Sequence, residues 1–198
     1  MDLCTALCYT LWDKAGFERA IEMLLKRITH VSHPMYHEAL KLYQISFPYH
    51  EQRGEASQEK ILSDNDYHFC LIYDEKIFIG LVLYWETDRF IYIEHFCILP
   101  EMRNKQYGQE TLSVLMEQSK TVLLEIDPPL DDISKRRKGF YERCGYTENY
   151  FSHIHPPYHK GSEGHDLVIM TCPKQISQEA FDAFSQYLKN RVMKNAFA

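Results

Sequence analysis

The chain has 198 residues, of which 28 are acidic and 22 are basic, so its net charge is −6 with histidine neutral. This length suits one large domain or two small ones, and 45% hydrophobic with 25% charged residues is typical of a globular protein. The acidic balance argues against a general nucleic-acid-binding protein, which needs a broad basic surface.

The cysteines and the N-terminus bear on where the protein works. No two of the six cysteines have the two-residue gap of a zinc or thioredoxin motif. Cys70, Cys97 and Cys172 lie in apolar runs, which predicts buried, reduced thiols and favours a cytoplasmic location. Residues 1–20 have neither the basic leader of a signal peptide nor an apolar stretch that could span a membrane. We expect an N-terminal appendage there, with a short helix.

The rest of the chain alternates between strand-like and helix-like patterns. The predicted strands cover residues 23–28, 67–73, 77–85, 90–99, 121–126 and 165–172, with 151–155 as a candidate partner of the last. The predicted helices cover residues 36–47, 58–62, 108–120 and 132–143, followed by a final helix capped by Ser177. This order predicts a mixed α/β (α+β) domain in which helices flank a mostly antiparallel sheet.

One loop carries a chemical signal. After the strand that ends at Pro100, a short segment with Arg103 and Gly108 leads directly into a helix. Such a loop directs several backbone N–H groups and the positive end of the helix dipole at one point, which suits a pyrophosphate. Alone the signal is weak, because many strand-to-helix loops contain an arginine and a glycine.

A second segment, KGFYERCGY at residues 138–146, strengthens this interpretation. Together the two segments resemble the GNAT superfamily of acetyl-CoA-dependent N-acetyltransferases. Residues 103–108 follow the family pattern Arg/Gln-x-x-Gly-x-Gly/Ala, except that Gln106 stands where the first glycine is expected. The resemblance implies a single GNAT-like domain over residues 21–174, followed by a C-terminal helix over residues 175–198.

The resemblance also implies how acetyl-CoA would bind. Two central strands, 90–99 and 121–126, would splay apart, and the pantetheine arm would pair with the exposed backbone as an added strand. The residues implied in cofactor binding are Phe96, Cys97, Ile98, Arg103, Asn104, Lys105, Gln106, Tyr107, Gly108 and Gln109. The basic run at 135–138 could face the cofactor's phosphates, although a solvated helix face is the default interpretation.

Acetyl transfer to an amine needs a base, because an alkylammonium ion has a pKa near about 10 and no lone pair. Glu94 is the first candidate, since a carboxylate in an apolar strand needs a reason, and Glu125 is the second. Each could instead be paired with a cation or face solvent. By the resemblance, Tyr141 would protonate the departing thiolate, and attack would be direct, without an acyl-enzyme. Packing of its ring on the sheet is the structural alternative.

Two other chemistries are less favoured. Cys97 or Cys144 could accept the acetyl group first, but no histidine–acid arrangement surrounds either of them. The segment HIHPPYH at 153–159 resembles a metal-binding tract, yet its prolines break regular geometry. We interpret it as a loop on the acceptor side, with Tyr158 and the histidines lining the substrate mouth.

The sequence therefore predicts an acetyl-CoA-dependent N-acetyltransferase acting on a primary amine: a small molecule, a peptide terminus or a lysine. The alternatives are a degenerate CoA-binding domain, which Gln106 supports, and an interaction domain. An exposed Phe181 and Phe184 face on the final helix would favour the latter, or a homodimer. No nucleic-acid or membrane partner is expected.

Overall fold

The computed structural model describes the backbone of residues 6–12 and 18–196, and the side chains of residues 22–196. The longer strands are β1 Ala6–Trp12, β2 Glu18–Ile28, β3 Tyr67–Asp74, β4 Ile77–Glu86, β5 Phe90–Ile98 and β6 Thr121–Ile126. Four further strands are β7 Thr147–Asn149, β8 Ile154–His155, β9 His165–Asp166 and β10 Val168–Cys172. The helices are α1 Tyr36–Ser46, α2 Glu55–Ile61, α3 Tyr107–Met116, α4 Asp132–Arg143 and α5 Gln178–Tyr187.

Eight of these strands form one sheet, in the order β1-β2-β3-β4-β5-β6-β10-β7. Neighbouring strands run antiparallel except for β5 and β6, which are parallel. Strands β8 and β9 form a separate two-stranded ribbon. The predicted mixed α/β domain with a mostly antiparallel central sheet is confirmed.

One local prediction is wrong, and another is confirmed in part. A short helix was expected in residues 1–20, but Ala6–Trp12 form strand β1, which pairs antiparallel with a β2 that begins at Glu18. The sheet edge offers these residues backbone partners, and such tertiary pairing outweighs weak local preference. Residues 151–155 were predicted to pair with the late strand over 165–172, and Ile154 and His155 do pair with Asp166 and His165, in the separate ribbon. The rest of that late strand forms β10, which pairs with β7.

Helices cover both faces of the sheet. On one face, α1, α2 and α5 contribute Tyr36, Tyr43, Ile61, Phe181 and Phe184 to a core that includes Trp85. On the other, α3 and α4 pack over a second cluster, in which Leu112 and Leu115 are fully buried. Because the phenylalanine face of α5 lies in the first core, the exposed face that would favour a dimer is not present.

The strands β5 and β6 diverge where β5 carries a bulge. Leu83 of β4 pairs with His95 and the next residue, Tyr84, pairs with Ile93, so Glu94 is an extra residue in β5. The pairing of β5 with β6 ends at Ile93 and Leu124. A bulge bends its strand and raises its twist, which separates the two strands beyond this point. The predicted splay is confirmed, and we call the gap the fork.

Within the described residues, no helix combines the length and the apolar character that a membrane crossing requires.

Candidate active site

A cavity of about 590 Å³ opens in the fork. Its walls come from β5, β6, the turn that follows α1 and the segment that follows β8. Of the residues predicted from the sequence, the cavity is lined by Glu94, Phe96, Cys97, Ile98, Arg103, Glu125 and Tyr141. The other predicted cofactor-binding residues, from Asn104 to Gln109, lie at the start of α3 and do not line it.

One edge of β5 is open to the fork. Residues 95–98 pair with β4 on one side, whereas the pairing with β6 has already ended at Ile93. The backbone of this segment therefore presents one edge to the cavity, as strand addition requires. Gly80 of β4 packs closely behind it, since a Cβ atom there would lie 2.2 Å from the carbonyl oxygen of Cys97.

The start of α3 has the backbone features that an anion cradle requires. Its first backbone hydrogen bond runs from the N–H of Glu110 to the oxygen of Gln106, at 3.0 Å. The amides of Gly108 and Gln109 precede that bond and have no carbonyl one turn earlier in the helix. A side chain at Gly108 would crowd the ring of Phe140, because a Cβ atom would lie 3.2 Å from it. These features fit a pyrophosphate group.

Gln106 adopts a left-handed backbone conformation, with φ 65° and ψ −4°. Asn104 is also left-handed, with φ 60°. Glycine enters this region without cost, whereas another L-residue pays about 1–2 kcal/mol. The departure from the family pattern therefore keeps a glycine-like turn and adds a side chain. The side chain of Tyr107 faces the interior, where its hydroxyl donates a 2.8 Å hydrogen bond to Asp74.

The basic residues near the cavity are largely paired. Arg103 is exposed, and its Nε donates a 3.2 Å hydrogen bond to the carbonyl of Ile98. In the run at 135–138, Arg137 bonds Asp127 at 2.5 Å and Lys138 bonds Glu148 at 2.9 Å. Two of these four residues therefore form ion pairs on the protein surface.

Glu94 has a fully buried side chain, 1% exposed, with both carboxylate oxygens bonded. Arg53 and Tyr158 each donate a 2.9 Å hydrogen bond to Oε1, and the indole of Trp85 donates one of 2.7 Å to Oε2. Burial by itself would raise the pKa of Glu94, but Arg53 foremost, together with His95 and these bonds, lowers it to about 2. Glu94 is therefore paired with a cation, which was the structural alternative to a catalytic role for this residue.

Glu125 is also buried, and its surroundings differ in kind. The hydroxyl of Tyr92 donates a 2.5 Å hydrogen bond to Oε2, and Nε2 of His153 contacts Oε1. Nε2 of His155 lies 3.8 Å from Oε2. Burial would raise the pKa of Glu125, but His155 and His153 lower it. No guanidinium or ammonium group is among these contacts.

Tyr158 and His155 join the two carboxylates into one network. The hydroxyl of Tyr158 bonds Glu94 and lies 3.4 Å from Nε2 of His155, which faces Glu125. Nδ1 of His155 donates to the carbonyl of Pro156 at 2.6 Å, so Nε2 is the nitrogen left to accept a proton. The network spans the fork from β5 to β6. Tyr158 and His155 line the cavity, whereas His153 and His159 of the same segment do not.

Tyr141 lies on the cavity wall beside α4's Arg137. Burial raises the pKa of Tyr141 to about 12, although Arg137 acts in the opposite direction. Its hydroxyl is therefore protonated at neutral pH. A neutral phenol on this wall can donate a proton but cannot serve as a base.

Sequence reasoning missed Arg53, the counterion of Glu94. It lies in the polar segment 49–66, whose composition gives no sign of a buried charge. The histidines of the HIHPPYH segment separate: His153 contacts Glu125, His155 faces Tyr158, and His159 donates to the carbonyl of Tyr49 at 2.8 Å. The four cysteines with described side chains, Cys70, Cys97, Cys144 and Cys172, are free and buried, as three of them were predicted to be.

A parallel pair that forks at a bulge, followed by a helix that opens with backbone amides lacking a helical acceptor, agrees with the arrangement that the resemblance implies for an acetyltransferase. The sequence profile of the Acetyltransferase (GNAT) family matches residues 14–146, more than half of the chain. The chain therefore belongs to the GNAT acetyltransferase family, and acetyl-CoA is the co-substrate expected of it.

Known proteins agree with this assignment. The structure of a "Putative acetyltransferase from GNAT family from Bacteroides thetaiotaomicron" is similar with a TM-score of 0.80 and 29% identity, over 85% of this chain and 97% of that one. "Putative acetyltransferase YjbC" of Bacillus subtilis (strain 168) is 27% identical over 110 residues, 54% of each protein, so the matched region is about half the length of that relative. A Bacillus subtilis acetyltransferase in complex with CoA shares the fold, with a TM-score of 0.51 and 12% identity, over 76% of this chain and 97% of that one.

Proposed function

We propose that this protein is an N-acetyltransferase that moves the acetyl group of acetyl-CoA to a primary amine by direct attack. The observation that carries the proposal is the fork. It presents an open strand edge and two buried carboxylates around a single cavity, and the chain that leaves β5 leads through Arg103, which also lines the cavity, to the start of α3.

The residues present fit acetyl-CoA. The backbone of Phe96, Cys97 and Ile98 would hold the pantetheine arm, and the segment 103–109 would hold the pyrophosphate through its amides, with Arg103 adding a charge-assisted bond. When bound, acetyl-CoA supplies an acetyl group activated as a thioester.

Glu125 is the better of the two candidate bases. The carboxylate of Glu94 is held by a guanidinium and its pKa is lowered to about 2, so it has little tendency to accept a proton. Glu125 contacts only phenol and imidazole groups, which can pass a proton on. We assign to Glu125, with His155, the removal of the acceptor's proton through water, and to Glu94 the positioning of Tyr158.

Tyr141 would act as the acid. As the amine nitrogen forms its bond to the acetyl carbon and the carbon–sulfur bond breaks, the thiolate needs a proton. The neutral hydroxyl of Tyr141, whose pKa is raised to about 12 by burial, can donate it. The proton taken up by Glu125 leaves through the cavity to solvent, and Tyr141 is reprotonated by the same route.

One observation favours a second candidate, a CoA-binding domain without catalysis. Gln106 stands in the family's glycine position in a left-handed conformation, so its side chain lies at the cradle. That side chain would weaken or redirect phosphate binding.

The acceptor itself is proposed only as a primary amine: a small molecule, a peptide terminus or a lysine. A cytoplasmic location stays a prediction, and the free cysteines are compatible with it.

The two candidates are separated by two measurements. Both predict that acetyl-CoA raises the melting temperature, because a ligand that binds only the folded state stabilises it. Only the enzyme releases free CoA thiol when a panel of amines is added. In Glu125→Gln, we expect thiol release to fall by about 100-fold or more while stabilisation by acetyl-CoA is kept. No thiol release with any amine, despite binding, would support the degenerate domain.

A further inference from the structure

A group of side chains at the mouth of the cavity has no role in the acetyl-transfer chemistry. His50 and Glu51 lie in the single turn Tyr49–Glu51 that follows α1, and His165 lies in β9. All three line the cavity. One ligand atom from each can be chosen so that these atoms lie within 4.8 Å of one another. The fold therefore gathers two imidazoles and a carboxylate at one point.

A second carboxylate lies beside His165. Oδ1 of Asp127 lies 3.5 Å from Nε2 of His165, while its Oδ2 is bonded to Arg137 at 2.5 Å. Nε2 of His50 lies 3.6 Å from Oε1 of Glu51. Arg137 thus occupies one oxygen of Asp127, and the other oxygen lies near His165.

The turn that carries two of these residues is anchored on both sides. Nε2 of His95 donates a 2.9 Å hydrogen bond to the carbonyl of Glu51. His159 stacks on Tyr49, with ring centroids 4.1 Å apart, and donates to its carbonyl. The backbone of the turn is therefore held against β5 and against the segment that follows β8. The side chain of His50, which is 61% exposed, stays free to adjust, and that of Glu51 is partly exposed.

We propose that His50, Glu51 and His165, with Asp127 as fourth ligand, form a binding site for a divalent transition-metal ion of the Zn²⁺ type. Neutral imidazole and carboxylate are the nitrogen and oxygen ligands that such ions take, at about 2.0–2.2 Å in tetrahedral geometry. That geometry requires the ligand atoms to draw together by about 1 Å from their present separations. Rotation of exposed side chains on an anchored turn can supply this movement.

The bound ion would connect the turn after α1 to the β8–β9 ribbon across the mouth of the cavity. None of its four ligands belongs to the Glu94–Glu125 network or to the start of α3, although all four line the same cavity. Metal binding can therefore be measured without acetyl-CoA, and it does not depend on the proposed acetyl transfer. The same four groups could instead hold a cationic acceptor, which the experiment below distinguishes.

The test uses the full chain, without a histidine tag and freed of metal. Co²⁺ is titrated and followed by its visible absorption, and Zn²⁺ by calorimetry and by the melting temperature. We expect one equivalent of either ion to bind. His50→Gln and His165→Gln should each weaken binding by more than about tenfold, because even an outer-shell partner is worth that much. His37→Gln, which removes an exposed histidine of α1, is the matched control and should leave binding unchanged.

Three outcomes would overturn the proposal. The first is the absence of Co²⁺ absorption together with no Zn²⁺ effect on the melting temperature. The second is undiminished binding in the His50→Gln/His165→Gln double variant, which would place the ion elsewhere. The third is a wild-type protein that binds no metal, together with a double variant that has lost affinity for an amine acceptor. That result would assign these side chains to a cationic acceptor. Undiminished binding in Asp127→Asn would overturn its assignment as the fourth ligand.

Discussion

The hydroxyl of Tyr158 donates a 2.9 Å hydrogen bond to Oε1 of Glu94, which fastens the segment after β8 to the bulge of β5. The acceptor side of the cavity is therefore built around a carboxylate whose charge is already balanced by Arg53. This arrangement makes Glu94 a positioning residue in our proposal, and it separates the effects of the two glutamates on stability and on catalysis.

Glu94→Gln should destabilise the protein strongly. The change leaves the guanidinium of Arg53 buried without its counterion, which typically costs about 3–5 kcal/mol. Urea unfolding at pH 7 measures the loss of unfolding free energy. Glu59→Gln, which alters an exposed carboxylate in α2, is the control and should change it little. Equal unfolding free energies for the two variants would show that the buried Arg53–Glu94 pair does not contribute the expected stability.

The stability of the wild-type protein should fall in acid. The pKa of Glu94 is lowered from 4.5 to about 2 in the folded state, so the unfolded chain binds more protons between these values. Its contribution is complete above about pH 4.5 and is lost as the pH falls towards about 2. Unfolding free energies measured from pH 6 to about pH 3 should therefore decline more steeply in the wild type than in Glu94→Gln. Parallel pH profiles would contradict the lowered pKa.

Gln106→Gly should stabilise the protein and tighten acetyl-CoA binding. Glycine adopts the left-handed conformation of this position without steric cost, so we expect a net gain of roughly 0.5–1 kcal/mol. Gln109→Gly, three residues further into α3, is the control and should cost about 1 kcal/mol, because its backbone is helical. Melting temperatures and acetyl-CoA titrations check both variants. Weaker acetyl-CoA binding in Gln106→Gly would indicate that the glutamine side chain itself contacts the ligand.

Tyr141→Phe should slow acetyl transfer without weakening acetyl-CoA binding. If its hydroxyl protonates the thiolate, kcat should fall by about 100-fold, the usual size of a general-acid contribution. Tyr146→Phe provides a matched control on the same side of the sheet. Its ring lies 5.7 Å from that of Tyr141, and its buried hydroxyl has no hydrogen-bond partner. Similar kcat values for Tyr141→Phe and wild type would remove the assigned role.

Gly80→Ala should disturb the fork by displacing β5 from β4, its neighbour on the side away from β6. The added Cβ atom would lie 2.2 Å from the carbonyl oxygen of Cys97, so β4 and β5 must separate. We expect a loss of about 1–3 kcal/mol in unfolding free energy, together with weaker acetyl-CoA binding. Gly139→Ala in α4, where the nearest atom would lie 3.5 Å away on Arg143, should instead gain about 1 kcal/mol. Unchanged acetyl-CoA affinity in Gly80→Ala would show that acetyl-CoA binding does not depend on the spacing between β4 and β5.

Local patterns were sufficient for the features that depend on neighbours in the chain. The hairpin of β3 and β4, the helix opening near Gly108 and the Ser177 cap of α5 follow from turn residues, periodicity and capping, which act within a few positions. The strand β1 was missed, because its partner is a sheet edge rather than a local pattern. The pairing of residues 154–155 with residues 165–166 was predicted, but the separation of this ribbon from the main sheet was not, because it depends on packing rather than on a local pattern.

By itself, the sequence determined the fold class, the family and the pair of carboxylates at the fork, because periodicity and two short motifs are local properties. Only the tertiary structure decided how those carboxylates differ. Arg53, which pairs with Glu94, and His153, which contacts Glu125, come from distant parts of the chain. Burial strengthens the effect of each contact on the pKa of its carboxylate, since a charge removed from water is stabilised only by the few groups that touch it. Those groups are brought together by packing, and no spacing in the sequence records them.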